Sequence, residues 1–236
     1  KLRFHTQTAG CSLTAQQPEN NISRTAFQGL AAVLGGTQSL HTNSMDETLA
    51  LPSEKAAEIA LRTQQLIAFE TGVSNVADPL GGSWFVESLT DEIEEEANKY
   101  FDEIESIGGV IPAIEEGYFQ YEISRSASSH QKKIDTNELI HVGVNDYIKP
   151  DEKIDIPILE IGRDVEDYQN KKISSLRKSR DSKNVNNALL KVKKSCIDGD
   201  NLLPPIIESV KTGATMGEIV ITMKEVFGEW NETSVF

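Results

Sequence analysis

Arg3-Phe4-His5-Thr6-Gln7-Thr8-Ala9-Gly10 and Gly35-Gly36-Thr37-Gln38-Ser39-Leu40-His41-Thr42-Asn43 decide the reading of this chain. Each is a short extended run that ends in imidazole, amide and hydroxyl side chains just before a helical stretch. Parallel α/β proteins place their chemistry at such strand ends. Working outward, Leu2 to Thr6 reads as a strand and Asn20 to Leu34 as a helix, with Ile22, Ala26, Leu30, Val33 and Leu34 on one face. Gly35-Gly36 stops that helix, and Thr37 to His41 reads as a second strand. Ser53 is placed to cap a helix running to about Glu70, whose inward stripe is Ala56, Ile59, Ala60, Thr63, Leu66 and Ile67. A third strand is expected near Val73 to Ala77, then the loop Asp78-Pro79-Leu80-Gly81-Gly82-Ser83 and a third helix from about Leu89 to Ile107. The acidic run Asp91 to Glu96 reads as a solvated face.

Strand, polar loop and helix in repetition predict parallel strands joined by crossovers. Three such units make part of an open sheet or one arc of a barrel, since closure takes eight. After Gly108-Gly109 the pattern changes to helical stretches at Ile111 to Glu116, Gln120 to His130, Val165 to Arg177, Val185 to Cys196 and Met216 to Phe227. Ile140 to Val144 and Ile156 to Glu160 read as possible strands, and Lys149-Pro150-Asp151 and Leu203-Pro204-Pro205 as joints. The expected division is therefore 1–108, an α/β arc, and 109–236, a mostly helical tail that packs on something else.

The chain carries 37 acidic and 23 basic residues, a formal charge of −14. That balance argues against nucleic acid or an anionic membrane as partner, because both are recognised by a basic face. No apolar run approaches the roughly 18 residues of a membrane span. Cys11 and Cys196 are far apart and lack metal-ligand spacing, so they read as two free thiols in a reducing compartment. A cytoplasmic setting follows, or the mitochondrial matrix in a eukaryote.

On strands, His5 and Gln7 share a side, and so do Thr37, Ser39 and His41, with Gln38 and Leu40 opposite. Two neighbouring strands of this kind would build a polar floor of hydrogen-bonding groups without a carboxylate pair, a thiolate or a phosphate loop. Such a floor suits binding and positioning of a large polar ligand better than hydrolysis. Satisfied interior polar residues of a barrel are the plainer reading of any one of them.

The residues at Arg3 to Gly10, Asn20-Asn21-Ile22-Ser23-Arg24-Thr25 and Gly35 to Glu47 resemble, in order and spacing, the adenosylcobalamin-dependent acyl-CoA mutases. Arg62-Thr63-Gln64, Asp78 to Ser83, Gly108-Gly109, Gly143-Val144-Asn145 and Val226-Phe227-Gly228 extend the likeness over essentially the whole chain. The resemblance implies the last three βα units of a (β/α)8 barrel of the TIM type, followed by a helical linker. It implies a radical 1,2-rearrangement of acyl-CoA thioesters, with (R)-methylmalonyl-CoA to succinyl-CoA as the best choice. Isobutyryl-CoA or 2-hydroxyisobutyryl-CoA mutases, or a non-catalytic subunit of a heterodimeric mutase, are the alternatives.

By the same resemblance, His5, Gln7 and Gly10 would lie at the corrin or adenosyl face, Asn43 and Glu47 would hold the adenosyl ribose, and Leu51 would be an apolar neighbour. Gln38 and Ser39 would line the acyl-CoA channel. No residue of this segment is assigned the bond-breaking step, and none a metal. The implied partners are acyl-CoA, a cobalamin-binding domain or subunit, and a second mutase subunit forming a dimer. The plainer alternative for Glu47 is a first-turn acid favoured by a helix dipole. His41 either touches the ligand or braces a residue that does, and Arg3 faces a phosphate or braces the next strand. His130 and His141 read as surface or linker residues. Lys171, Lys172, Arg177, Lys178, Arg180 and Lys183 read as a solvated helix face, or as a patch for coenzyme A phosphates or an acidic subunit. The family's cobalt-ligating D-x-H-x-x-G motif is not found in this sequence, nor are the His, Tyr and Arg that grip the acyl group.

Overall fold

The computed structural model describes residues 3–231. It is a mostly helical α/β chain with one small parallel sheet, and it divides into two compact units, 3–159 and 160–231. The expected boundary after residue 108 falls inside the first unit.

In the first unit, β1 (Thr6–Gln7) pairs parallel with β2 (Leu40–His41), Thr6 opposite Leu40 and Gln7 opposite His41, and α1 (Asn20–Leu34) is the crossover between them. Both strands are shorter than their sequence runs, and Leu2 lies outside the described residues. Local hydrogen bonds trim the ladder: the Phe4 amide donates to Gln38 Oε1 at 3.1 Å, and the Thr37 amide returns to Ala32 O at 3.1 Å. Pairing therefore starts where the Thr6 amide reaches Ser39 O, at 2.9 Å.

α1 and α2 (Glu54–Glu70) cover the sheet face that carries Leu40 and Thr42. The buried stripe of α1 is Asn21, Thr25 and Gly29, not the expected apolar set, whose members are only half-buried. The reason is close packing: a Cβ on Gly29 would lie 3.1 Å from Ile67 Cδ1 and 3.5 Å from Thr42 Cγ2. Glycine lets α1 approach α2 and β2 this closely, and a Cβ would fit only if Ile67 Cδ1 gave way by a few tenths of an ångström. On α2, Ala56, Ala60, Thr63 and Ile67 are buried as expected and Leu66 is exposed. Ser53 caps the helix, its Oγ accepting from the Ala56 amide at 3.3 Å.

The expected third strand at Val73 to Ala77 does not form. Gly72 adopts a left-handed φ of 74° and a 3-10 turn follows at Val73–Asn75. Ser74 Oγ donates to Ala68 O and Thr71 Oγ1 to Ile67 O, so local side-chain bonds to the helix end outcompete an extended run. Three helices complete the unit: α3 (Trp84–Ile107), α4 (Val110–Glu115) and α5 (Tyr118–Asp135). Residues 91–96 are solvated, as their charge predicts. Ile140 to Val144 is a turn rather than a strand, closed by the Gly143 amide on Asp146 O at 2.7 Å, and Ile156 to Glu160 has no regular structure.

The second unit holds α6 (Arg163–Ser179), α7 (Ser182–Asp198), α8 (Leu203–Lys211) and α9 (Met216–Phe227). Its core is Val185, Ala214 and Ile219, packed by Leu189, Ile206 and Met223. Leu203-Pro204-Pro205 is not a joint but the start of α8, where proline costs no helical hydrogen bond. Arg180 is removed from the expected cationic cluster: only 12% of its side chain is exposed, and its guanidinium pairs with Glu218. Cys11 and Cys196 are both free thiols.

Candidate functional site

Strand alternation sends Leu40 and Thr42 under the helices and leaves His5, Gln7, Ser39 and His41 on the opposite, exposed face. Across that face His5 Nδ1 and Ser39 Oγ share a hydrogen bond of 2.8 Å, and Gln7 Nε2 donates to Asn43 Oδ1 at 3.0 Å. Asn43 is buried, and its amide N–H donates to Thr8 Oγ1 at 3.0 Å, which fixes the chain where it leaves β2. Its own Nδ2 is buried without a hydrogen-bond partner. A buried unpaired donor costs about 1–3 kcal/mol.

Gly10 stands against the same pair of side chains. A Cβ there would meet Glu47 Oε1 at 2.7 Å and Asn43 Nδ2 at 3.0 Å. The close approach that glycine permits is thus that of Glu47 and Asn43 to the main chain. Beside them, His41, Ser44, Glu47, Pro52, Leu61 and Gln64 line part of a cleft of about 240 Å³. Ser44 Oγ and Asp46 Oδ1 add two more buried oxygens without partners, while Asp46 Oδ2 accepts from the Ser53 amide at 2.9 Å.

Of the residues singled out in the sequence, His5, Ser39, Gln7, Asn43, Gly10 and Glu47 form one connected patch. Gln38 is turned away, its side chain spent on the Phe4 amide. Leu51 is 59% exposed on the loop before α2, and Arg3 is exposed beside β1. His130 and His141 stack edge to face at 5.8 Å, a local pairing of α5 with the turn that follows it.

Sequence reading missed the support behind the patch. Asn21 is fully buried and donates from Nδ2 to Thr14 O at 2.8 Å and to Met45 O at 2.9 Å. Its Oδ1 accepts from the Thr14 amide and from Arg24 Nη1, at 3.1 and 2.7 Å. The only signal available was the motif itself, because polar residues on a helix read as surface. Among the described residues no helix is long and apolar enough to cross a membrane.

The patch offers amide, imidazole and hydroxyl groups with one exposed carboxylate. It can bind, orient and shield a polar ligand; its one hydroxyl–imidazole contact, Ser39 Oγ with His5 Nδ1, lies on the exposed face. Its chemistry fits a corrinoid cofactor in kind: an unpaired buried donor, an acceptor carboxylate and a polar floor suit amide and ribose groups.

Comparison with known proteins gives a family model described as methylmalonyl-CoA mutase that matches residues 1–229. The 2-hydroxyisobutanoyl-CoA mutase large subunit of Aquincola tertiaricarbonis is 43% identical over 239 residues, covering 100% of this chain and 42% of that protein. The methylmalonyl-CoA mutase of Rhizobium meliloti is 45% identical over 231 residues, covering 97% of this chain and 32% of that protein. The mitochondrial methylmalonyl-CoA mutase of Homo sapiens is 41% identical over 230 residues, covering 97% and 30%. This chain thus spans less than half the length of the curated relatives it matches.

Proposed function

Because the chain belongs to the methylmalonyl-CoA mutase family, we propose that it forms part of an adenosylcobalamin-dependent isomerase that rearranges acyl-CoA thioesters. The preferred reaction is interconversion of (R)-methylmalonyl-CoA and succinyl-CoA. Residues 1–108 would contribute the C-terminal arc of a (β/α)8 barrel, to which the described residues bring β1 and β2 and a 3-10 turn where the third strand was expected, and 109–236 would pack on that barrel or on a partner subunit. A cobalamin-binding module, fused or separate, and a second mutase subunit complete the assembly. Two free thiols suit a cytoplasmic or matrix setting.

The observation that carries this reading is the connected patch of His5, Ser39, Gln7, Asn43, Gly10 and Glu47. When bound, adenosylcobalamin supplies the radical chemistry through its weak cobalt–carbon bond. The protein's part is to bind, orient and exclude water. His5 and Gln7 present hydrogen-bonding groups to the corrin or adenosyl face, and Asn43 Nδ2 donates where a ligand acceptor ends its isolation. Glu47 accepts from ribose hydroxyls, Leu51 covers an apolar edge, and Gly10 leaves room for Asn43 and Glu47 to stand side by side. Ser39 faces the acyl-CoA channel. Gln38 reaches that channel only by releasing the Phe4 amide.

The 43% identity to a 2-hydroxyisobutanoyl-CoA mutase subunit supports a second reading, with that branched thioester or isobutyryl-CoA as substrate. A non-catalytic subunit is disfavoured by the intact polar patch. The test is turnover by the full-length polypeptide carrying this chain, with adenosylcobalamin and each of the three acyl-CoA thioesters. Cofactor-dependent conversion of methylmalonyl-CoA is expected. Turnover of only another thioester moves the assignment, and turnover of none overturns it.

A further inference from the structure

We infer that Asn21 and Arg24 are positioning residues for the loop bearing Asn43 and Glu47, and that they tie this loop to a returning strap at 141–152. The inference rests on the proposed reading of Asn43 and Glu47 as cofactor contacts. Its structural half stands without that reading.

Asn21 uses every hydrogen-bonding position an amide has, two donors and two lone pairs. One of those donors goes to Met45 O, on the backbone between Asn43 and Glu47. Arg24 closes the network from behind. Its Nη1 donates to Asn21 Oδ1 at 2.7 Å and to Thr14 Oγ1 at 2.9 Å, and its Nη2 to Val142 O at 2.8 Å. Among the described residues no carboxylate pairs with this guanidinium. In a chain of charge −14 with 37 acids, a guanidinium spent on neutral acceptors is being used for its rigid fork of donors.

The strap is anchored at two further points. The Gln17 amide donates to Glu152 Oε1 at 2.9 Å, and Gln17 Nε2 to Tyr147 O at 2.9 Å. Gly143, at a left-handed φ of 86°, lies where a Cβ would come within 3.0 Å of Gln17 Cδ. Residues 118 to 135 positions apart are thus stapled to the first turns of α1 and to the loop before it. The path from strap to site is short and made of directed bonds: Val142 O, Arg24, Asn21, Met45 O, and then Asn43 and Glu47 on either side.

Arg24→Lys in the full-length protein keeps the charge and loses the fork. Hydrogen exchange is read first on the cofactor-free protein, where the amides of residues 44–50 should exchange about tenfold faster while α7 and α9 are unchanged. Titration with adenosylcobalamin should then give a Kd raised about tenfold, as for other residues that orient ligand-holding groups, with the KM for acyl-CoA changed by less than about twofold. Unchanged exchange at 44–50 overturns the inference, and so does a uniform rise across residues 3–159 with both affinities lost together. If Arg24→Lys gives no soluble protein, Glu152→Ala releases the strap's far end without entering the buried network. It should raise exchange at 44–50 in the same direction, and no change there is equally fatal. Failure of the unsubstituted protein to bind adenosylcobalamin would sink the proposed function while leaving the exchange test intact.

Discussion

Asn43 illustrates how a single side chain can be costly and useful together. Its Oδ1 is satisfied by Gln7, its backbone by Thr8, and its Nδ2 by nothing in the protein. Gly10 sits at the edge of this group, so Gly10→Ala forces either Glu47 or Asn43 to move. Glu47 is exposed, whereas Asn43 is buried, so Glu47 gives way first. Gly10→Ala should therefore weaken adenosylcobalamin binding about tenfold, a change of about 1.4 kcal/mol. The thermal midpoint should move by no more than a few degrees, which calorimetry on the same protein will check. At this scale the alternation of His5 and Gln7, and of Ser39 and His41, was legible because strand geometry alone assigns side chains to faces. The departure of Gln38 was not, since it depends on which amide at the strand's edge lacked a partner. Asn21 and Arg24 were hidden for a similar reason: burial of a polar side chain follows from a network, not from periodicity.

Elements show where local signals suffice and where packing decides. The cap at Ser53, the span of α1 and the ends of α9 follow from local chemistry. The strand expected at Val73 to Ala77 failed because Ser74 and Thr71 serve the carbonyls ending α2, and α8 was missed because prolines at a helix start look like a joint. Gly29 tests the packing between α1 and α2. Replacing a helical glycine by alanine gains about 1 kcal/mol of propensity, roughly what a small shift of Ile67 Cδ1 would cost. Gly29→Ala should therefore be nearly neutral in thermal denaturation, whereas Gly29→Leu should cost about 1–3 kcal/mol by overpacking.

α9 carries a second element-level test. Thr215 and Glu218 form a capping box, and Arg180 reaches the same carboxylate and Gly213 O. The Arg180 hydrogen bond, helped by the Thr215 amide and hydroxyl, holds the Glu218 carboxyl down at about 2, against an ordinary 4.5. A carboxyl lowered in the folded state stabilises fully above its unfolded value, and that contribution is lost as pH falls. The helical signal of the second unit should thus weaken between about pH 4.5 and pH 2. Glu218→Gln should flatten that part of the acid titration while retaining the box, because glutamine can also cap. An unaltered acid profile in the variant would remove the pair from the account.

At the scale of the whole molecule, the second unit has its own small core and the first exposes much apolar surface. Trp84 is 92% exposed and Phe69 83%, with Phe85, Phe101 and Ile93 also open. Large apolar side chains left open to this extent are prone to association or aggregation. The isolated 236 residues should consequently lack mutase activity and bind a hydrophobic dye, whereas residues 160–231 alone should melt cooperatively by circular dichroism. The change of pattern after Gly108-Gly109 falls inside the first unit and marks no boundary between the compact units. The boundary near Leu159 was not legible, because contacts such as Arg24 to Val142 and Gln17 to Glu152 bring 140–152 back to the first unit.

The most direct test of the central claim is an absorbance titration of adenosylcobalamin into the full-length protein and its Glu47→Ala variant. Glu47 is exposed, so its removal should leave folding intact. Loss of a charged hydrogen bond to the ligand predicts binding weakened roughly tenfold to a hundredfold. Equal affinity of the two proteins would contradict the assignment of this patch to the cofactor.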